Sequence, residues 1–304
     1  MAAQKVDFST PADLTALKGK NVLVTGGSSG IGAACVRTFA ENGCSVTIAD
    51  LNDQAGEDYA KALRDEGFQV VFVHTDVTDW TSQVDAFKEA CQATSKNELD
   101  IVLACAGVAG TSFSSATDPE SPSDVKDPQP PATSAIMVNQ TGTLKTAKLA
   151  FHHFDASKKS GSKKPLIFLG SMAGYSDVPN EADYSSSKWG VRGIFRALRS
   201  ESGNHGARVN LVAPTFIETS MTKNMVTRLE QMGVKFGKME DVVAAVMRLS
   251  TDDTINGRAV AVGAYGNFDL RDDMSGGNAA FAMREYYETG AFGAVVEAAR
   301  WPLD

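Results

Sequence analysis

Tyr184-Ser185-Ser186-Ser187-Lys188 sets a phenol and an ammonium four residues apart, a spacing that on a helix stacks both on one face. Such a pair can move a proton. A phenol ordinarily titrates near pH 10, and a neighbouring cation favours its ionised form. Bringing that value down by two to three pH units takes roughly 3–4 kcal/mol of favourable charge interaction, which a partly dry cleft can supply. Upstream, Ser171 in Leu169-Gly170-Ser171-Met172-Ala173-Gly174 closes an apolar run and offers a hydroxyl to a substrate oxygen. Tyr-xxx-Lys alone also marks solvated helix faces, and an isolated serine is most often a loop cap, so the surrounding elements decide.

Those elements alternate. NVLVTGG is a β-branched run that ends in glycine, and residues 31–42 follow with helical periodicity closed by Gly43. SVTIADL, QVVFVHTDV, DIVLACAG, PLIFLGS, ARVNLVAP and residues 258–263 read as further strands, with helices over 53–66, 81–95, 139–154 and 184–204. Strands apolar on both faces and separated by helices specify a parallel sheet covered on both sides, a doubly wound α/β fold of about seven strands in one domain. Ser171 then stands at the carboxyl end of the fifth strand, the edge where open α/β sheets bind ligands.

Thr25-Gly26-Gly27-Ser28-Ser29-Gly30-Ile31-Gly32 lies between the first strand and the first helix. There a dinucleotide's pyrophosphate would meet free backbone N–H groups and the positive helix end, and side chains would block the approach. Asp50 ends the second strand roughly twenty residues past the first glycine, where a carboxylate can accept from ribose hydroxyls. Neither Ser29 nor Leu51-Asn52 supplies a cation for a 2′-phosphate, so the expected cofactor is NAD rather than NADP.

Taken together, these strings resemble the short-chain dehydrogenase/reductase family over roughly residues 20–266. Gly26-xxx-Gly30-x-Gly32 is similar to that family's glycine motif, and Asp76-Val77 to the pair that meets the adenine ring. Ala104-Cys105-Ala106-Gly107 stands where the family has Asn-Asn-Ala-Gly, and Pro214 to Thr219 resembles its carboxamide-binding segment, with Thr215 in place of a glycine. The resemblance implies a Rossmann sheet and NAD contacts at Gly26, Ser28, Ser29, Gly30, Ile31, Gly32, Asp50, Leu51, Asp76, Val77, Ala106, Gly107, Tyr184, Lys188, Pro214, Ile217 and Thr219. It implies a catalytic set of Asn139, Ser171, Tyr184 and Lys188, with Asn139 interrupting its helix and linking Lys188 to water. The implied reaction is hydride transfer between a secondary alcohol or ketone and the nicotinamide, Tyr184 serving as general base or acid. A homodimer or homotetramer is the family habit. A non-redox use of the fold, as a cofactor-retaining cyclase or epimerase or an NAD-sensing protein, is the alternative; the intact Ser171 and Tyr184 weigh against it.

The periphery is less specific. The segment 218–237 should form a helical lid, and Met221, Met225, Met232 and Phe236, with Met172, Tyr175 and the Phe113 loop, suggest an apolar cavity for an aromatic or polyketide-like alcohol. Packing of the lid on the core explains the same methionines equally well. Residues 109–133 and 157–164 read as polar surface loops, residues 1–19 as an N-terminal arm, and residues 267–304 as a C-terminal extension with helices over 278–288 and 292–301. The arms at both ends give the chain a resemblance to fungal alcohol dehydrogenases of secondary metabolism such as the 5′-hydroxyaverantin dehydrogenase group.

The 304 residues are 43% hydrophobic and 22% charged, as in ordinary globular proteins, and carry a net charge of −8. That charge repels phosphate backbones and anionic lipid, so neither nucleic acid nor membrane is expected as a partner. No apolar run approaches the roughly 20 residues of a membrane span, and the N-terminus lacks a signal-peptide core, so a cytoplasmic protein is expected. The four cysteines form no CxxC pair and the four histidines no metal spacing.

Overall fold

The computed structural model describes residues 5–111, 130–156 and 163–272. Its sheet has the strand order β3-β2-β1-β4-β5-β6-β7-β8. The strands are β1 Asn21–Thr25, β2 Ser45–Asp50, β3 Val70–His74, β4 Ile101–Ala104, β5 Lys164–Leu169, β6 Ala207–Pro214, β7 Ala259–Gly263 and β8 Gly266–Asp269. β1, β4, β6 and β7 are buried along their whole length, which fits their unbroken β-branched and aliphatic runs.

The first seven strands are parallel, as the alternation requires, and the eighth is antiparallel to β7. β8 is thus an addition to the expected seven. Its sequence, Gly-Asn-Phe-Asp, is short and mostly half-exposed, so it carries neither an apolar run nor an alternation. Backbone pairing to β7 and the ion pair of Asp269 with Arg258, 2.6 Å across and buried on both sides, hold it. Asp269 also accepts the Val6 N–H at 2.7 Å, which ties the N-terminal arm to the same edge.

Helices cover both faces. Phe39 of α1 (Gly30–Glu41), Leu63 of α2 (Asp53–Asp65) and Val246 of α7 (Met239–Thr251) pack into one core. Phe87 of α3 (Trp80–Gln92), Phe154 of α4 (Thr143–Ala156) and Phe195 of α5 (Ala182–Leu198) pack into the other. Burying a phenylalanine fully contributes about 1.5–3 kcal/mol, so these rings fix the helix positions. The helix expected over 139–154 begins instead as a π-helical stretch, Ile136–Gly142, that continues into α4. The one expected over 184–204 starts at Ala182, ends at Leu198 and is followed by a separate short turn at Ser202–His205.

The segment 218–237, expected as a helical lid, contains a short 3-10 turn, Lys223–Met225, and α6, Val226–Gln231. The two helices expected in the C-terminal extension and the Phe113 loop lie outside the described residues. Among the described residues no helix is long and apolar enough to cross a membrane, and no group of His, Cys, Asp and Glu could hold a metal ion.

Candidate active site

A cleft of about 400 Å³ opens at the carboxyl ends of the central strands, across the point where the order reverses between β1 and β4. Strand register fixes its floor: Thr25 lies beside Ala104 in the sheet, and the Thr25 hydroxyl accepts the N–H groups of Cys105 and Ala106 at 3.1 and 3.2 Å. Ala104 has no side chain for such a bond, and Thr25 holds the end of β4 from the neighbouring strand.

The glycine turn forms the nucleotide end. A Cβ on Gly32 would stand 2.0 Å from the Gly26 carbonyl oxygen, and one on Gly26, whose φ is +69°, 2.6 Å from the Ala106 Cα. Both contacts are with backbone, so the turn closes on itself and on β4 only without side chains. Ser29 is the N-cap of α1 but makes no capping bond with its side chain, and the helix end faces the cleft. Asp50 accepts the Ser28 N–H at 3.0 Å and the Asn52 N–H at 3.0 Å, which binds the tip of β2 to the turn. A turn closed against its own backbone, a helix end directed at the cleft and a carboxylate beside it fit the pyrophosphate and ribose of a dinucleotide.

Of the expected cofactor contacts, Gly26, Ser29, Gly30, Ile31, Gly32, Asp50, Leu51, Asp76, Val77, Ala106, Gly107, Tyr184, Lys188, Pro214, Ile217 and Thr219 line this cleft. Ser28 does not line it and acts through its N–H on Asp50. Asp76 is folded back on Thr78, accepting its N–H and its hydroxyl, both at 2.8 Å. Thr219 reaches across from the segment after β6 to within 3.5 Å of a Cβ on Gly30.

Ser171, Tyr184 and Lys188 line the cleft together. Ser171 sits where β5 gives way to a 3-10 turn and accepts the Ala173 N–H at 3.1 Å. Tyr184 and Lys188 share a face of α5, the ammonium 5.6 Å from the centre of the phenol ring. Lys188 is buried and donates to the Leu169 carbonyl at 3.2 Å. Asn139 does not line the cleft; it is fully buried behind it. Its amide donates to the Val108 carbonyl at 3.1 Å and to the Ser187 hydroxyl at 3.0 Å, and its oxygen accepts the Val108 N–H at 2.8 Å. A Cβ on Gly107 would meet Asn139 Oδ1 at 3.2 Å and Lys188 Nζ at 3.7 Å, so both groups face the same glycine. The π-helical widening at Asn139 turns its side chain toward these partners.

The remaining wall is apolar, with Met172, Val178, Phe216 and Met221 on it. Met172 and Met221 were expected there. Met232 and Phe236 do not line the cleft, and Phe236 packs on Phe216 with ring centres 6.2 Å apart. Tyr175 also points elsewhere: it is buried and its hydroxyl donates to Asp272 at 3.0 Å. Sequence reasoning missed Phe216, Cys105 and Glu181. Burial pushes the Cys105 thiol up to about 12 despite the nearby Lys188, and burial together with Asp183 raises the Glu181 carboxyl. Glu181 is the non-helical residue before α5, and nothing in the local sequence marks it as part of the cleft.

A cleft of this form, with a glycine turn at one end and a phenol beside an ammonium at the other, is that of an oxidoreductase with a nicotinamide dinucleotide cofactor. The family described as short chain dehydrogenase matches residues 20–230, and the chain belongs to the short-chain dehydrogenase/reductase family. It is similar to 5′-hydroxyaverantin dehydrogenase of Dothistroma septosporum, 36% identical over 91% of this chain and 95% of that one. It is also similar to the NADP-dependent dehydrogenase M3 of Phoma sp., 33% identical over 95% and 90% of the two chains. The fold matches that of 3-ketoacyl-(acyl-carrier-protein) reductase from Brucella melitensis, solved with NADH, with a TM-score of 0.69 at 23% identity over 82% of this chain and 98% of that chain. The protein is an alcohol dehydrogenase or ketone reductase of this family.

Proposed function

We propose that the protein is an NAD-dependent dehydrogenase of an uncharged, apolar or aromatic secondary alcohol. The observation that carries the choice of NAD is Asp50: its carboxylate stands at the tip of β2 beside the glycine turn, and among the described residues the only cation lining the cleft is Lys188, at the far end. A 2′-phosphate beside Asp50 would meet a like charge and no partner. The names of the relatives support a secondary-metabolite alcohol; those that state a cofactor state NADP, so the choice of NAD is carried by Asp50 alone.

When bound, the nicotinamide supplies the hydride acceptor for oxidation and the donor for reduction. The chain's own groups handle the proton and the orientation. Tyr184 takes the proton from the substrate hydroxyl at its phenolic oxygen, or returns it in reduction. Ser171 holds the same substrate oxygen through its hydroxyl. Lys188 keeps a buried positive charge beside the phenol and would hold the ribose of a bound nicotinamide. Asn139 acts one layer back, fixing the Val108 backbone and the Ser187 hydroxyl, and is assigned to the proton path through Lys188. Met172, Phe216 and Met221 exclude water from the reacting carbon.

The test is a titration with NADH and NADPH followed by nicotinamide fluorescence, for the wild type and Asp50→Ala. Tighter binding of NADH by tenfold or more, lost in the variant, is expected. Tighter binding of NADPH overturns the assignment of NAD and shifts the physiological direction to ketone reduction. Family habit supports a homodimer or homotetramer, which light scattering of the purified chain checks.

A further inference from the structure

Glu181 is the N-cap residue of α5, and a carboxylate at a helix N-terminus ordinarily turns back onto the first free N–H groups. This one does not: its side chain makes no capping bond, while the neighbouring Asp183 accepts the N–H groups of Tyr184 and Thr111 at 2.7 and 3.2 Å. Instead, Glu181 lines the cleft. A Cβ on Gly110 would stand 2.6 Å from Glu181 Oε2, 2.5 Å from Asp183 Oδ1 and 2.7 Å from the Tyr184 Cβ, so the carboxylate and the stem of Tyr184 gather around the same glycine. It is half-buried, and among the described residues it has neither a hydrogen-bond donor nor a cation as partner.

The rest of the wall sharpens the point. Asp50 and Asp76 belong to the nucleotide end and Lys188 to the phenol, which leaves Glu181 as the one remaining charged residue among the described residues lining the cleft, with Val178, Met172, Phe216 and Met221 on the same wall. A half-buried carboxylate that lines an apolar cleft without a donor among the described residues favours a ligand that donates a hydrogen bond to it. The same charge, with Asp183 behind it, repels a ligand carboxylate or phosphate and offers it no cation.

We infer that Glu181 is a specificity-determining residue: it accepts a hydrogen bond from a second hydroxyl of an uncharged aromatic substrate and rejects substrates that carry an anionic group near the reacting carbon. The inference rests on the proposed function for its reaction but not for its binding test. Bond formation to a charged acceptor raises affinity by roughly tenfold or more.

Calorimetric titration of the purified protein, with and without NADH, is made with 2-naphthol and 2-naphthoate, two ligands of one ring system that differ in donor and charge. The wild type should bind naphthol at least tenfold more tightly than naphthoate. Glu181→Ala should lose that preference, and Glu181→Gln, which retains an acceptor without the charge, should gain naphthoate affinity while keeping most of the naphthol affinity. Equal binding of the two by the wild type, binding of neither, or a ratio unchanged within threefold in Glu181→Ala overturns the inference. Melting curves of both variants establish that they are folded. Turnover of secondary alcohols with NAD is scored separately: turnover with an unchanged ratio defeats only the role of Glu181, and a changed ratio without turnover defeats only the redox assignment.

Discussion

The amide nitrogen of Asn139 lies 3.0 Å from the Ser187 hydroxyl, and through it the π-helical stretch before α4 is bonded to the helix that carries Tyr184 and Lys188. The Ser187 hydroxyl donates in turn to the Tyr184 carbonyl at 2.7 Å, so Asn139 reads the backbone of the phenol it never touches. Asn139→Ala removes these contacts and leaves the Val108 N–H and carbonyl without their partner. An unsatisfied buried polar group costs about 1–3 kcal/mol, so a loss of roughly 2–4 kcal/mol in stability is expected. Thermal melts measure that loss. If Asn139 also serves the proton path, kcat should fall while the binding of NADH stays within a few fold. A fall in stability with kcat unchanged would make it a structural residue only.

The phenol itself gives a sharper test. Tyr184→Phe keeps the ring, its packing and the neighbouring ammonium 5.6 Å from the ring centre, and removes only the hydroxyl. General acid–base catalysis contributes about 10²–10⁴-fold, and kcat for a secondary alcohol with NAD should fall by that much. NADH affinity should stay close to that of the wild type, because the proposed cofactor contacts of α5 come chiefly from Lys188. Retention of more than a tenth of the activity would remove Tyr184 from the proton step.

The glycine turn can be separated from glycine in general. Gly32→Ala would force a Cβ to within 2.0 Å of the Gly26 carbonyl oxygen, and because both partners are backbone the turn must open. Weakened binding of NADH by tenfold or more is expected, together with a lower melting temperature. Gly193 is the control. It lies exposed within α5, and a Cβ there meets nothing within 4 Å. Gly193→Ala should raise stability by about 0.4–1 kcal/mol with unchanged cofactor binding.

These contacts show which parts of the protein local sequence can disclose. The parallel strands were legible because each is an apolar run, buried on both faces in all but the edge strand β3, and the glycine turn because Gly26, Gly30 and Gly32 punctuate a strand–helix junction. β8 was not legible: pairing with β7 and the Asp269–Arg258 bridge, not its own pattern, make Gly-Asn-Phe-Asp a strand. The helix around Asn139 was visible, but its π turn answers to Val108 and Ser187, 31 and 48 residues away in the chain. Tyr175 was assigned to the cavity wall from its position after Ser171, yet its hydroxyl is taken by Asp272, 97 residues on. Glu181 went unnoticed because its meaning lies in the capping bond it does not make, which only coordinates reveal.

Cys105 stands on the cleft floor beside Ala106, yet its environment makes it a poor nucleophile. Burial pushes its thiol up to about 12, with Lys188 only partly opposing the shift. At pH 8 the reactive thiolate is then roughly a thousandfold scarcer than in a free cysteine. Iodoacetamide should leave Cys105 unlabelled in the folded protein over times that fully label a small thiol, and mass spectrometry after denaturation should find it free. Labelling should accelerate as pH rises toward 12, since that is where the anion forms. Modification at the rate of a free thiol at pH 8 would contradict the raised thiol.

Asp272 joins the chain beyond β8 to α5. Its buried carboxylate accepts from Arg192 at 2.8 Å and from Tyr175 at 3.0 Å and pairs with Arg196, while its carbonyl accepts from Arg199. Arg192 stacks over the Tyr175 ring at 4.1 Å, two turns along α5 from Tyr184. Removing one partner of a buried ion pair costs about 3–5 kcal/mol, because the other charge stays behind in a medium that solvates it poorly. Asp272→Ala should therefore lower the melting temperature by about 5–10 °C. Asp272→Asn keeps an acceptor for Tyr175 and should recover part of the loss. The double variant Asp272→Ala with Arg192→Met removes both charges and should be more stable than Asp272→Ala alone, since the isolated cation is the source of the penalty. If the double variant is no better than the single one, the cost lies in the Tyr175 and Arg199 bonds, and the carboxylate's charge contributes little.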